Sequence, residues 1–236
     1  MKLHRYFVDN RAFPKKELPP EGVDFNLVDK GLINQWRNVL RMEVCDKAIL
    51  FDGGGDEALC EFVSLSKNLA EFKVIEKKHG LIPTREVTLY LALIKKDNFE
   101  FVLEKATELG VSRIVPVQAD RSEKKGVNYE RAQRILREAS EQSGRATVPT
   151  IDEIISVDKL PSEVVVFDPR GTISARKYFI KNATAAVSLF VGPEGGFTDA
   201  EIESFRARNI PIVSTGTQIL RAETAAIVAL TLALVG

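Results

Sequence analysis

Three short stretches of this chain concentrate residue types suited to holding a polar ligand. They are Phe167-Asp168-Pro169-Arg170-Gly171, Gly192-Pro193-Glu194-Gly195-Gly196-Phe197 and Ser214-Thr215-Gly216-Thr217-Gln218-Ile219-Leu220-Arg221. Each follows an apolar run that reads as a strand. Gly192, Gly195 and Gly216 let the backbone approach a ligand closely, and free amides in such turns can bind a carboxylate or ring nitrogens. Arg221, at the mouth of such a pocket, has the planar fork that clamps phosphate or carboxylate. Glu223 lies in the first turn of the apolar segment that follows, where the helix dipole favours a carboxylate, so it needs no further role. One glycine-rich turn is ordinarily only a tight turn. Three at strand exits favour a pocket.

Other chemistries find less support. No G-x-G-x-x-G opens the first helix of the second half, which disfavours a dinucleotide-binding dehydrogenase. The trio Gly53-Gly54-Gly55 sits between two strand-like runs without a following helix or a Lys-Ser/Thr pair, so it reads as a hairpin turn rather than a phosphate loop. The two histidines, His4 and His79, both fall outside the region of the three exits, and a Ser-His-Asp set or metal site there is unsupported. Cys45 and Cys60 are the two cysteines and have no CxxC spacing, which argues against a zinc cluster or disulfide framework.

The elements that must position these residues fall into two halves with different periods. In the first, Arg5–Val8, Lys47–Phe51, Ala58–Val63 and Ala70–Ile75 read as strands, the last with period-two alternation, and a short helix is expected near Leu32–Arg41. This half is expected to be a small β barrel over residues 1–78. Lys77-Lys78-His79-Gly80-Leu81-Ile82-Pro83 reads as the linker, because it is charged and ends in Gly and Pro.

Residues 79–236 then alternate strand and helix. Val87–Ile94 is nearly continuous in apolar residues, as a strand buried on both faces requires. Asn98 is a candidate cap for a helix that buries Phe99, Val102, Leu103, Ala106 and Leu109 and ends at Gly110. Ile114–Val117, Val164–Phe167, Ser188–Val191 and Ile210–Val213 are the further strands. Helices are expected from Asn128, with Ala132, Ile135, Leu136 and Ala139 inward, around Ala175–Lys181, after the capping box Thr198-Asp199-Ala200-Glu201, and over Ala222–Leu234. Five strands alternating with helices predict a parallel α/β sheet, whose ligand sites lie at the strand carboxyl ends.

Composition sets the bounds. Hydrophobic residues at 44% and charged residues at 28% describe an ordinary globular protein. The apolar stretch Ala225–Val235 is too short to span a bilayer, and no N-terminal segment reads as a signal peptide, so the sequence predicts a cytoplasmic protein. With 33 basic and 33 acidic residues, net charge demands no nucleic-acid partner. Between Arg113 and Arg145 eight basic residues, among them Arg121, Lys124 and Lys125, outnumber five acidic ones, a pattern more often a solvated helix face than a phosphate track.

At the three exits the sequence resembles a known family. Leu189-Phe190-Val191-Gly192-Pro193-Glu194-Gly195-Gly196 with Ile219-Leu220-Arg221-Ala222-Glu223-Thr224-Ala225 resembles the paired signature of RsmE-type methyltransferases of the SPOUT superfamily. Lys105–Val111, Arg121-Ser122, Glu138–Arg145, His4-Arg5-Tyr6-Phe7 and Val39-Leu40-Arg41 resemble it as well, so the likeness spans nearly the whole chain. The resemblance implies a PUA-like β-barrel RNA-binding domain followed by a parallel-sheet SPOUT methyltransferase domain whose last segment is threaded into a trefoil knot. It implies a homodimer, S-adenosylmethionine as cofactor with no metal, and methylation of N3 of a uridine in small-subunit ribosomal RNA.

On that resemblance, Phe167, Asp168, Val191, Gly192, Pro193, Glu194, Gly195, Thr215, Gly216, Ile219, Leu220 and Thr224 are expected around the cofactor. Arg221 is expected to stabilise the target base or an adjacent phosphate, and Glu194 to accept a proton, touch the cofactor or fix its loop. Arg5, Arg41, Arg121 and Arg145 are candidate RNA phosphate contacts. Three departures stand out. Asn34, Gln35 and Trp36 occupy a region where the family often has histidine, Asp168 replaces the histidine common before Pro-Arg, and Thr215 replaces a leucine. Three other readings stay open: a different RNA base or RNA as target, a non-catalytic RNA-binding relative, and an unrelated nucleotide-binding α/β enzyme.

Overall fold

The computed structural model describes residues 3–13, 17–123 and 125–235. Lys124, counted above among the basic residues, lies outside them. The chain forms two compact units: Met1–Ile82 with Ser140–Val148, and Pro83–Ala139 with Pro149–Gly236.

In the first unit β1 (His4–Phe7), β2 (Asp24–Leu27), β3 (Lys47–Phe51), β4 (Asp56–Leu65) and β5 (Ala70–His79) form one sheet in the order β1-β3-β4-β5-β2. Only the β1–β3 pairing is parallel. Alternation selects the buried face: Ala58, Cys60 and Phe62 of β4 and Ala70, Phe72 and Val74 of β5 are fully buried. The turn between β3 and β4 carries positive φ at Gly53 and Gly55, and Asp52 Oδ1 accepts a 2.8 Å hydrogen bond from the Gly54 amide.

Two expectations for this half change, while the short helix expected near Leu32–Arg41 is present over residues 30–39. Asp24–Leu27 is an additional strand: its Phe25 and Leu27 alternate inward, but two apolar residues give too short a pattern to read. Lys77, Lys78 and His79 are the end of β5, paired with Ala58, Glu57 and Asp56, and not a linker. α1 (Lys30–Asn34) continues into a π turn over Gln35–Val39, and there Trp36 is wholly buried, edge-on to Tyr6, Phe62 and Phe72. Trp36 is therefore the centre of a core.

The second unit contains β6 (Glu86–Ala92), α2 (Lys96–Leu109), β7 (Arg113–Gln118), most of α3 (Tyr129–Ser143), β8 (Thr150–Ile151), β9 (Ile155–Ser156) and β10 (Val164–Phe167). It continues with β11 (Ile173–Ser174), α4 (Ala175–Lys181), β12 (Ala186–Val191), α5 (Asp199–Ala207), β13 (Ile212–Ser214) and α6 (Ala222–Val235). The strands form one parallel sheet, ordered β11-β13-β10-β12-β6-β7-β8, with β9 also against β7. The two-residue strands β8, β9 and β11 carry no apolar run, and the sequence does not announce them.

The helices follow their patterns. Phe99, Val102, Leu103 and Ala106 are buried along α2, and Gly110 ends it in the left-handed conformation. Asn128 Oδ1 accepts from the Arg131 amide at the start of α3. Thr198 and Glu201 form the complete capping box of α5. The exception is Asn98, which lies inside α2 rather than capping it; the helix begins at Lys96 after Lys95. Along α6, Ala226, Ala229, Leu230 and Ala233 recur at helical spacing and are buried, and the helix packs against α2.

Candidate active site

β10 lies between β13 and β12 in the sheet, so three strand exits far apart in sequence become neighbours. Together they enclose a cavity of about 230 Å³. Phe167, Asp168, Val191, Gly192, Pro193, Glu194, Gly195, Thr215, Gly216, Ile219 and Leu220 all line it. Thr224 does not: it is exposed on α6, while Ala222 and Ala225, three apart and hence on one helix face, line the cavity instead. Pro169, Gly196, Phe197, Val213 and Gln218 complete the wall. All five border motifs legible in the sequence, and spacing along a helix would have favoured Ala222 and Ala225 over Thr224.

Glycine is needed here for two different reasons. A Cβ on Gly192 would sit 2.9 Å from the Phe197 ring, so that strand end admits no side chain. Gly196 and Gly216 have positive φ, which L side chains rarely adopt. The walls combine apolar surface from Phe167, Val191, Val213, Ile219 and Leu220 with the glycine-bearing loops around 192–196 and 215–218. That mixture suits a ligand with a flat heterocycle and a polar tail. Among the described residues no cluster of three His, Cys, Asp or Glu side chains is placed to hold a metal ion.

The loop after β12 is tied down from several directions. Glu194 Oε1 accepts a 2.9 Å hydrogen bond from the amide of Lys95, the N-cap residue of α2, and so satisfies one of the donors that the helix leaves without an internal partner. Arg121 Nη1 donates to the carbonyls of Gly195 at 2.9 Å and Phe197 at 3.4 Å. Arg170 Nη2 donates to the same Phe197 carbonyl at 3.0 Å. Asp168, buried, accepts from the Arg170 amide, Nε and Nη2 at 2.8–2.9 Å. This hydrogen bonding raises the Arg170 pKa above its ordinary value, against the opposing effect of burial.

Arg221 precedes α6 between two lining residues, and its side chain is exposed. Glu223 Oε2 is buried with no hydrogen-bond partner among the described residues, at the positive end of α6.

The other sequence-predicted arginines are dispersed. In the first unit Arg5 forms a 2.7 Å ion pair with Glu57, both side chains largely buried, and its guanidinium lies 5.4 Å from the Phe51 ring centroid. Arg145, in the same unit, is buried, donates to Thr147 Oγ1 at 2.9 Å, and has its pKa lowered to about 10 by desolvation. Arg41 is exposed, on a backbone with φ of 54°.

A parallel α/β unit with a glycine-lined cavity at adjacent strand exits, after a small β unit, defines the class, and comparison with known proteins agrees. The family model described as RNA methyltransferase domain matches residues 82–234, and that of the RNA methyltransferase PUA domain matches residues 37–75. Curated relatives called ribosomal RNA small subunit methyltransferase E match at 30% identity in Rickettsia conorii, over 98% of this chain and 94% of that one. The Bacillus subtilis relative matches at 32%, over 97% and 94%. The crystal structure of the Neisseria gonorrhoeae protein of that name, bound to S-adenosyl methionine, superposes with a TM-score of 0.85 at 29% identity, covering 98% of this chain and 96% of that one. The chain belongs to the family of ribosomal RNA small subunit methyltransferase E.

Proposed function

We propose that this protein transfers a methyl group from S-adenosylmethionine to N3 of a uridine in small-subunit ribosomal RNA, working in the cytoplasm as a homodimer with a knotted C-terminal segment. The observation that carries the reading is the cavity itself: three adjacent strand exits, rich in glycine, in a domain of RNA methyltransferase type. When bound, S-adenosylmethionine supplies an electrophilic methyl group on a sulfonium. The chain's residues do the rest. Phe167, Val191, Val213 and Leu220, which line the cavity, would exclude water from the cofactor's aromatic ring, and backbone groups at 192–196 and 215–218 would orient its polar atoms.

Uridine N3 carries a proton and is engaged in base pairing, so the base must leave its partner and lose that proton before it can attack. Arg221 is assigned to the developing anion, because a guanidinium placed beside it stabilises charge that appears in the transition state. Glu194 keeps Oε2 for a proton while Oε1 anchors the loop on α2. On the RNA side Arg41 is the exposed candidate, and Arg121 serves the cofactor loop. Arg5 and Arg145 hold the β unit together.

Mass analysis of small-subunit ribosomal RNA nucleosides from cells with and without the gene tests the reading. Loss of N3-methyluridine on deletion, restored by the wild-type gene and not by R221A, is the expected result. An unchanged nucleoside profile would sink it, and loss of a different methylated base would move the target.

A further inference from the structure

We propose that Arg170 is a positioning residue for the cofactor pocket, and that Asp168, read from the sequence as a cofactor contact, acts through it. This inference rests on the methyltransferase reading of the cavity. Three of the roughly four acceptor positions of the Asp168 carboxylate are taken by Arg170. A buried carboxylate so engaged has little capacity left for a ligand, and a buried charge needs such pairing to be tolerated at all. The backbone of Asp168, by contrast, is fixed in the sheet through a 3.0 Å hydrogen bond from its amide to the Val213 carbonyl. Asp168 is therefore an anchor, and Arg170 is what it anchors.

The guanidinium leaves that anchor in two directions. Nη2 donates to the Phe197 carbonyl at 3.0 Å, and Nη1 to Asp199 Oδ1 at 3.0 Å. Phe167, Asp168 and Pro169 form one wall of the cavity, and Gly195, Gly196 and Phe197 form another. Arg170 is thus a strut between the two walls, standing on the exit of β10 and gripping the exit of β12. From the β7 side Arg121 reaches the same Phe197 carbonyl at 3.4 Å, together with that of Gly195. A loop with glycine at 192, 195 and 196 has much conformational freedom to lose when a ligand binds. Two arginines converging on one carbonyl remove that freedom beforehand, which raises affinity without touching the ligand.

The test is calorimetry of S-adenosylmethionine binding, with steady-state methylation, on the full chain carrying R170Q, D168N or both. The expected result is a Kd raised about tenfold in each single variant. The double variant should be no worse than the poorer single, because the two side chains act as one unit. The Michaelis constant for cofactor should rise by the same factor while kcat falls much less, a split that general loss of structure would not give. Wild-type Kd in folded R170Q, or strictly multiplicative effects in the double variant, would overturn the proposal. If R170Q does not fold, R170K, which keeps the charge but loses the fork, decides by the same criteria. Wild-type protein that fails to bind S-adenosylmethionine would instead overturn the reading of the cavity.

Discussion

At the residue scale, each arginine is defined by its partners rather than by its charge. Arg221 is exposed beside the cavity, so R221A should lower single-turnover methylation at saturating RNA and cofactor by about tenfold or more, while calorimetric cofactor binding stays near wild type. Retained turnover would remove Arg221 from the chemistry. Arg41 and Arg5 separate RNA contact from folding. R41A should weaken RNA binding and reduce the dependence of log affinity on log salt by about one unit, with stability unchanged. R5A leaves Glu57 buried beside Lys78, whose Nζ is 3.9 Å away, and should cost roughly 3 kcal/mol in urea unfolding. A stable R5A protein with a reduced salt slope would reverse the two assignments.

At the scale of elements, β4 carries a titratable group in its buried face. Burial pushes the Cys60 thiol from 9.0 to about 12. The folded state therefore holds this proton more tightly than the unfolded chain does. The associated stability is complete below pH 9 and is lost as pH rises from 9 to 12. Urea midpoints measured from pH 8 to pH 11 should fall, and C60A, which removes the thiol, should show a shallower fall from a lower start. Parallel pH profiles for the two proteins would show that the thiol is not the source. The Glu194 contact also belongs to this scale: one side chain of the β12 loop accepts from the Lys95 amide at the start of α2, a partner 99 positions from Lys95 that no local pattern shows.

At the scale of the whole molecule, the prediction concerns assembly. α6 buries Ala226, Ala229, Leu230 and Ala233, while Ile227, Val228 and Leu232 are only half-buried, an apolar face that a second copy would cover. A closed two-fold pair is the commonest solution for such a surface. Sedimentation at micromolar concentration should give about twice the mass of the chain. An active protein that sediments as a monomer would refute the dimer.

The sequence by itself determined whatever depends on local pattern. Period-two alternation marked β5 and a short strand-like run marked β4; apolar periodicity marked α2 and α3, and an almost wholly apolar run marked α6; the Thr198–Glu201 box marked the start of α5. The three glycine-bearing exits were legible because positive φ and close approach restrict the residue type at each position. Tertiary structure alone decided which strands are neighbours. β10 sits between β13 and β12 through long-range pairing that no local pattern encodes, and that order closes the cavity. It decided the first unit's membership too, since Ser140–Val148 belongs to the same compact unit as Met1–Ile82. It also decided the fate of each charged side chain. Arg5, Arg121 and Arg170 look alike in sequence, but the fold brings Glu57 to the first, the Gly195 carbonyl to the second and the Phe197 carbonyl to the third, and those partners fix what each one does.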